Sequence, residues 1–406
     1  MSLQSSPRSA DGSRSDRPAL PESATAALDE LSELAKQYGV QMIERLVERG
    51  EASAVWGGST WEAPLVYACG VTPIAFAELW RDYSKEAEAV GESTFQVPSE
   101  FCSMIKTIIG RLHLRRNGPI KRILFFGGYC EPAIIFELAK SDGYDLFTID
   151  GVTAFQLEGK RPALISFVVK ELQRTAHWLT GEPVDEDRLR AEIRLKNAVI
   201  ERTQRIMSLR LKNPLQLPAP RTMQLMAGVN HYYGDVQRYL RILDTVINGL
   251  ETTAGASERR SFIPLILTGG AAGSPRLIDA IEESNGVIVG WVMNSTTCYR
   301  DDLPPLESVA HFLFDSQRKG ELGEGAGTSC TNRRFRVEDL IRETGARGII
   351  SSSTGGCPYG SIVQQFERTH FKKLGIPTVT LESTVHKEPP TEEQIMKVKT
   401  FIEMLS

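Results

Sequence analysis

Short apolar runs bounded by glycine recur along this chain, and most are followed by a stretch with helical spacing. The runs "KRILFFGG", "YDLFTIDG", "FIPLILTGG", "VIVGWVM", "RGIISSS" and "PTVTLES" read as buried strands. Between them, "EPAIIFELAKSDG", "SPRLIDAIEESNG", "RVEDLIRETGA" and "GSIVQQFERTHFKKLG" place apolar residues at helical intervals. Strands that alternate with helices pair in parallel, because each crossover helix returns the chain to the same end of the sheet. From about residue 162 to 250 the strands stop and helical periods take over ("ALISFVVKELQRTAHWLTG", "DEDRLRAEIRLKNAVIERTQRIM", "DVQRYLRILDTVINGL"). The expected fold is therefore α/β, with two parallel-sheet domains of Rossmann/flavodoxin type joined by a helical segment. The expected boundaries are a tail over 1–22, N-terminal helices with the first α/β domain over 23–160, the helical segment over 161–255, and the second α/β domain over 256–406.

The first 22 residues are polar, lack an apolar core like that of a secretory signal, and read as a disordered tail. Two amphipathic helices follow, carried by Ala27, Leu28, Leu31, Leu34 and Ala35, then by Met42, Ile43, Leu46 and Val47. "WEAPLVYACGVTPIAF" predicts a helix, a stop at Gly70 and a strand over Thr72–Phe76. The net charge of −4, with no basic stripe interleaved with aromatics, speaks against a nucleic-acid surface. No apolar run approaches a membrane span. Six cysteines in 406 residues are too sparse for a disulfide framework, so reduced thiols in a cytoplasmic protein are expected.

Those cysteines carry the chemistry. The ordinary reading of a lone cysteine is a small buried hydrophobe. Cys69, in "VYACG", fits it; Cys298 and Cys330 are open between core and site. Cys102 opens "FCSMIKTIIG", Cys130 closes "RILFFGGYC", and Cys357 closes "GIISSSTGGC". All three are expected where loops leave or enter predicted strands, and Gly127, Gly128, Gly355 and Gly356 allow close backbone approach there. They lack the tight spacing of ferredoxin or zinc motifs. Three such thiolates can nonetheless hold three irons of a four-iron, four-sulfur (4Fe-4S) cluster and leave the fourth iron open to a substrate oxygen. Cys130 and Cys357 both follow strands, at the edge where open parallel sheets bind ligands.

Other motifs say less. "TGGAAGSPRLIDAIEE" follows a strand and opens a helix, but it lacks the dinucleotide spacing and an acidic ribose reader; a tight strand-to-helix turn is the favoured reading, with a polar cofactor or substrate at this edge as the alternative. In "WGGSTWEAP", Ser59 or Thr60 can cap a helix with Glu62 in its first turn, or the segment can wall a substrate pocket. There is no H-E-x-x-H pair, no G-x-S-x-G elbow and no Walker A loop, which excludes the motif-bearing zincins and α/β-hydrolases and leaves any ATP chemistry to a partner.

In their order and spacing, five segments resemble the subunits of 2-hydroxyacyl-CoA dehydratases, a family related to subunits of ATP-dependent benzoyl-CoA reductase. They are "PLVYACGVTPI", "FCSMIKTIIG" with Cys130 following, "IEESNGVIVGWVMNSTTCYRDD" leading to Arg300, "RGIISSSTGGCPYG", and "LGIPTVTLES" with "EEQIMKVKTFIEML". The likeness covers the chain from about residue 25 to its end. The resemblance implies a 4Fe-4S cluster on Cys102, Cys130 and Cys357, a related second subunit forming a heterodimer, and a separate ATP-dependent iron–sulfur activator that delivers one electron at low potential. It implies a lyase acting on a (R)-2-hydroxyacyl-CoA, in which a ketyl radical expels the 2-hydroxyl group. Ser59, Glu62 and Arg300 are the expected catalytic residues. Where the family's helix signature carries acids this chain has Ala63 and Pro64; its second domain has Gly290 and Trp291, and its cysteine loop reads "GGCPYG" in place of a Cys-Asp form. These departures leave two alternatives: an aromatic acyl-CoA reductase subunit, or a non-catalytic electron-relay or partner subunit.

Overall fold

A computed structural model describes residues 20–49, 53–57, 62–75, 85–118, 121–126, 132–149, 159–253, 262–269, 274–292, 296–321, 330–383 and 390–406. Within them lie two four-stranded, wholly parallel sheets and many helices. The first sheet is built from β1 (Ser53–Gly57), β2 (Thr72–Ala75), β3 (Arg122–Phe126) and β4 (Asp145–Ile149), in the spatial order β2-β1-β3-β4. The second contains β5 (Ile263–Thr268), β6 (Gly286–Trp291), β7 (Gly348–Thr354) and β8 (Thr378–Ser383), in the order β6-β5-β7-β8. Counted within its own sheet, each order reads second, first, third, fourth. The chain reverses its winding between the first and third strands of both sheets, and the crevice beyond the carboxyl ends of those strands is where such sheets take ligands.

The expected strands after Gly70 and at "KRILFF", "LFTI", "IPLILT", "VIVGW", "GIISSS" and "TVTLES" are all present. All are short, and those covered on both faces are mostly apolar. β5 and β6 are buried along almost their whole length. β7 differs: at the centre of the second sheet it carries Ser351, Ser352 and Ser353, all buried.

Helices α1 (Glu22–Gln37), α2 (Val40–Glu48) and α3 (Ala63–Ala68) precede β2, and Gly70 ends α3's turn at φ +71°. Next come α4 (Lys85–Phe95), α5 (Ser103–Leu114) and α6 (Pro132–Ser141). The helical segment holds α7 (Arg161–Thr180), α8 (Glu186–Lys212), α9 (Ala219–Ala227) and α10 (Val236–Thr252). α8 is the long strut: Asp185 caps it by accepting from the N–H groups of Asp187 and Arg188. α1 packs on α10 and α9, tied by Arg221–Asp29 at 2.7 Å and Arg238–Glu30 at 2.5 Å. The second sheet's helices are α11 (Pro275–Glu283), α12 (Pro305–Arg318), α13 (Cys330–Thr344), α14 (Pro358–Lys373) and α15 (Glu392–Leu405), the last closed by a capping box between Thr391 and Gln394.

One continuous apolar cluster runs from Leu31 in α1 through Ile123 in β3 and Leu243 in α10 to Leu265 in β5 and Ile402 in α15. A smaller cluster, including Ile266, Val289, Leu340 and Phe371, fills the space between the second sheet and α13 and α14. None of the described helices is long and apolar enough to cross a membrane.

Candidate functional site

Cys102 and Cys357 are 255 positions apart, 357 minus 102, yet their thiols lie within hydrogen-bonding reach of each other. Each occupies the position just before a helix: Cys102 precedes α5 and Cys357 precedes α14. The Cys357 sulfur accepts from the Gly360 N–H at 3.2 Å. Two helix N-termini thus flank the sulfur pair, an environment that favours anionic sulfur. Without a bound ion, the proximity of Cys102 first and burial second push the Cys357 thiol far above its ordinary pKa. Two adjacent sulfurs are a donor set suited to a cation or a cationic cluster core, which takes the place of their protons.

The backbone makes this approach possible. Gly356 sits at φ +68°, a left-handed conformation open to glycine. A Cβ there would lie 2.5 Å from the Phe101 carbonyl oxygen and 2.7 Å from that of Glu100. The Ser103 N–H donates to the Gly355 carbonyl at 3.1 Å. The turn after β7 and the turn before α5 are therefore in backbone contact.

Cys130, the third expected ligand, lies outside the described residues. It follows β3, the third strand of its sheet, as Cys357 follows β7, the third strand of the other. Among the described residues, no set of three or more His, Cys, Asp or Glu side chains is arranged to hold a metal ion. The described donors thus amount to a sulfur pair.

Of the expected catalytic residues, Glu62 and Arg300 lie among the described residues. Ser59 lies outside the described residues. Glu62 is fully buried and is an electrostatic neighbour of Lys196 on α8 and of Tyr299. Lys196 is itself 2% exposed; its Nζ donates to the Val229 carbonyl at 2.5 Å and stands 5.5 Å from the Tyr232 ring centroid. Burial pulls the Lys196 pKa down to about 7, with Glu62 opposing that shift. Asn197 fixes the Tyr299 backbone with bonds of 2.9 and 2.7 Å, so α8 links Glu62's neighbourhood to the segment carrying Arg300. Arg300 points outward and forms a two-pronged pair with Asp302, at 3.1 and 2.6 Å.

Of the other cysteines, Cys69 packs half-buried against the core, and burial raises its thiol to about 11. Cys298 is also half-buried and shifted upward, first by burial and then by Glu201. Cys330 opens α13.

Two features escaped the sequence reading. Tyr232 and Tyr233 are buried at φ +53° and +51°, a strained pair of left-handed residues beside the Lys196 ammonium. Only the glycine of "HYYGD" hints at such a turn. Lys106 is 3% exposed in α5. Its signal was in the sequence, a single charge between Ile105 and Ile108.

The fold is a pair of matching parallel α/β sheets whose connecting turns bring Cys102 and Cys357 together. The chain belongs to the family described as 2-hydroxyglutaryl-CoA dehydratase, D-component, whose sequence model matches residues 61–405. It is a subunit of dehydratase type, from a family named for one component of a multi-subunit enzyme. No individual curated protein matches the chain.

Proposed function

We propose that this chain is the cluster-bearing subunit of a radical 2-hydroxyacyl-CoA dehydratase, removing water from a (R)-2-hydroxyacyl-CoA. The observation that carries the reading is the meeting of Cys102 and Cys357 at the amino ends of two helices from different sheets. Cys102, Cys357 and Cys130 would hold a 4Fe-4S cluster. When bound, that cluster supplies one-electron chemistry at the thioester and an open iron for a substrate oxygen. The protein's part is to hold the sulfurs, direct helix ends and backbone N–H groups at them, and keep water from the reacting centre. Glu62 and Lys196 form a buried acid and base in which a proton can be held away from solvent. Ser59 and Arg300 complete the proposed acyl-CoA site. Both sheets follow the flavodoxin-like order through their fourth strand, which supports two domains of that type. The proposal extends to a related second subunit, an ATP-dependent iron–sulfur activator and a cytoplasmic setting.

The test is iron and acid-labile sulfide on anaerobically purified protein, with electron paramagnetic resonance after reduction. About four irons and four sulfides per chain are expected. Cys102→Ser, Cys130→Ser and Cys357→Ser should each lose iron and activity together. Retention of both in any one of them would remove that residue from the site, and a chain that takes up no iron on reconstitution overturns the proposal.

A further inference from the structure

The segment leading into Cys102 is held at both ends. Its far end abuts Gly355 and Gly356. Its near end is held by Lys106, one turn into α5. The Lys106 Nζ donates to the Ser99 carbonyl at 2.5 Å, three residues before Cys102. The same ammonium pairs with Glu92 at 2.6 Å and Glu88 at 3.0 Å, both on α4. Burial opposes the charge, but the hydrogen bonds to Glu92 and Glu88 outweigh it, so Lys106 is held as a cation.

α4 is pressed onto α5 by small residues. A Cβ on Gly91 would overlap the Lys106 carbonyl, and one on Gly110 would overlap the Ala87 carbonyl. This close crossing is what brings both carboxylates to one buried ammonium. A surface lysine would do little for the fold; a buried one shared among two carboxylates and a loop carbonyl fixes where that loop runs.

We infer that Lys106 is a positioning residue for the Cys102 sulfur, acting through residues 99–102. Its consequence for a cluster rests on the proposed function, whereas its consequence for the thiol pair does not.

The test uses the metal-free full-length chain and measures how fast diamide joins Cys102 to Cys357. In that reaction each thiol gives up one electron and one proton to the diamide, and one S–S bond forms. Lys106→Met should slow capture by about tenfold or more, the factor expected from losing a hydrogen bond to a charged group. After anaerobic reconstitution, the same variant should show altered resonance g-values. If Lys106→Met does not fold, the triple variant Glu88→Gln/Glu92→Gln/Lys106→Met is read in the same way. It leaves no uncompensated buried charge and still lacks the bond to Ser99. A folded variant that captures within about twofold of the natural chain, a difference smaller than one such bond gives, overturns the inference. Failure of both variants to fold also overturns it, by making Lys106 a residue of the fold alone. Slowed capture in a chain that takes up no iron would keep Lys106 in its role while the cluster proposal falls.

Discussion

The Ser103 N–H meets the Gly355 carbonyl at 3.1 Å, and through that bond the turn carrying Cys102 is fastened to the turn carrying Cys357. The two turns belong to different sheets. Their docking rests on close main-chain approach at glycine, so changes at Gly356 should disturb it directly.

Gly356→Ala is expected to destabilise the protein by more than about 2 kcal/mol, because a left-handed alanine is strained and its Cβ has only main-chain atoms to push against. Gly345 provides the control: it has nearly the same φ, +67°, and a Cβ there would meet nothing within 4 Å. Gly345→Ala should cost about 1 kcal/mol, the backbone share alone. Urea denaturation of the two variants makes the comparison, and diamide capture of Cys102 and Cys357 should slow only in Gly356→Ala.

Lys196 should give the protein an alkaline gain in stability. Its pKa is about 7 when folded, against an ordinary 10.5. Below pH 7 the ammonium is charged in both states, and the folded chain bears the cost of burying it. Between the two values the unfolded chain binds a proton that the folded chain has released, so stability rises with pH. The slope from this group approaches about 1.4 kcal/mol per pH unit. Denaturation midpoints from pH 7 to 10 measure it, and Lys196→Met should flatten the rise. A slope unchanged in the variant would show that another group is responsible.

Arg333 and Glu367 form a buried pair at 2.7 Å between α13 and α14. Burial raises the Glu367 carboxyl, with Arg333 working against that. Arg333→Met should cost about 3–5 kcal/mol by leaving the carboxylate without its guanidinium. Because the folded pKa of Glu367 would then rise further, that loss should shrink as the pH is lowered and the folded state takes up the proton. Arg333→Met/Glu367→Gln should recover most of the loss in the same denaturation assay.

Much of this architecture was legible from residues alone. β3, β5 and β7 announce themselves as apolar runs ended by turn residues, and α5 begins directly after Cys102, where its apolar period begins. Other elements carry no such signal. α4 shows no apolar stripe because it packs through Ala87 and Gly91, which are small rather than hydrophobic. α12 is buried on nearly all sides, so "PLESVAHFLFDSQR" gives no clear amphipathic face. β1, "SAVWG", lacks the apolar run that marks β3, a strand of the same length.

The site divides along the same line. Cysteines at strand ends can be picked out one by one, but the meeting of Cys102 with Cys357 depends on how two sheets dock, and no local pattern encodes that. Glu62 stood out by its place before α3. Its neighbour Lys196 did not, because "AEIRLKNAVIE" reads as an ordinary solvent-facing helix until Val229 and Tyr232 close over it.

Any ion or cluster gripped by both Cys102 and Cys357 would close a chelate around more than half the chain. Once one sulfur is attached, the other is already alongside at high effective concentration, so the second bond forms as an intramolecular step. Release reverses this: both bonds must break before either sulfur recombines, or the sheets must part. The docked turns would thereby make such a ligand slow to exchange, a kinetic protection that comes from the backbone rather than from the strength of either bond.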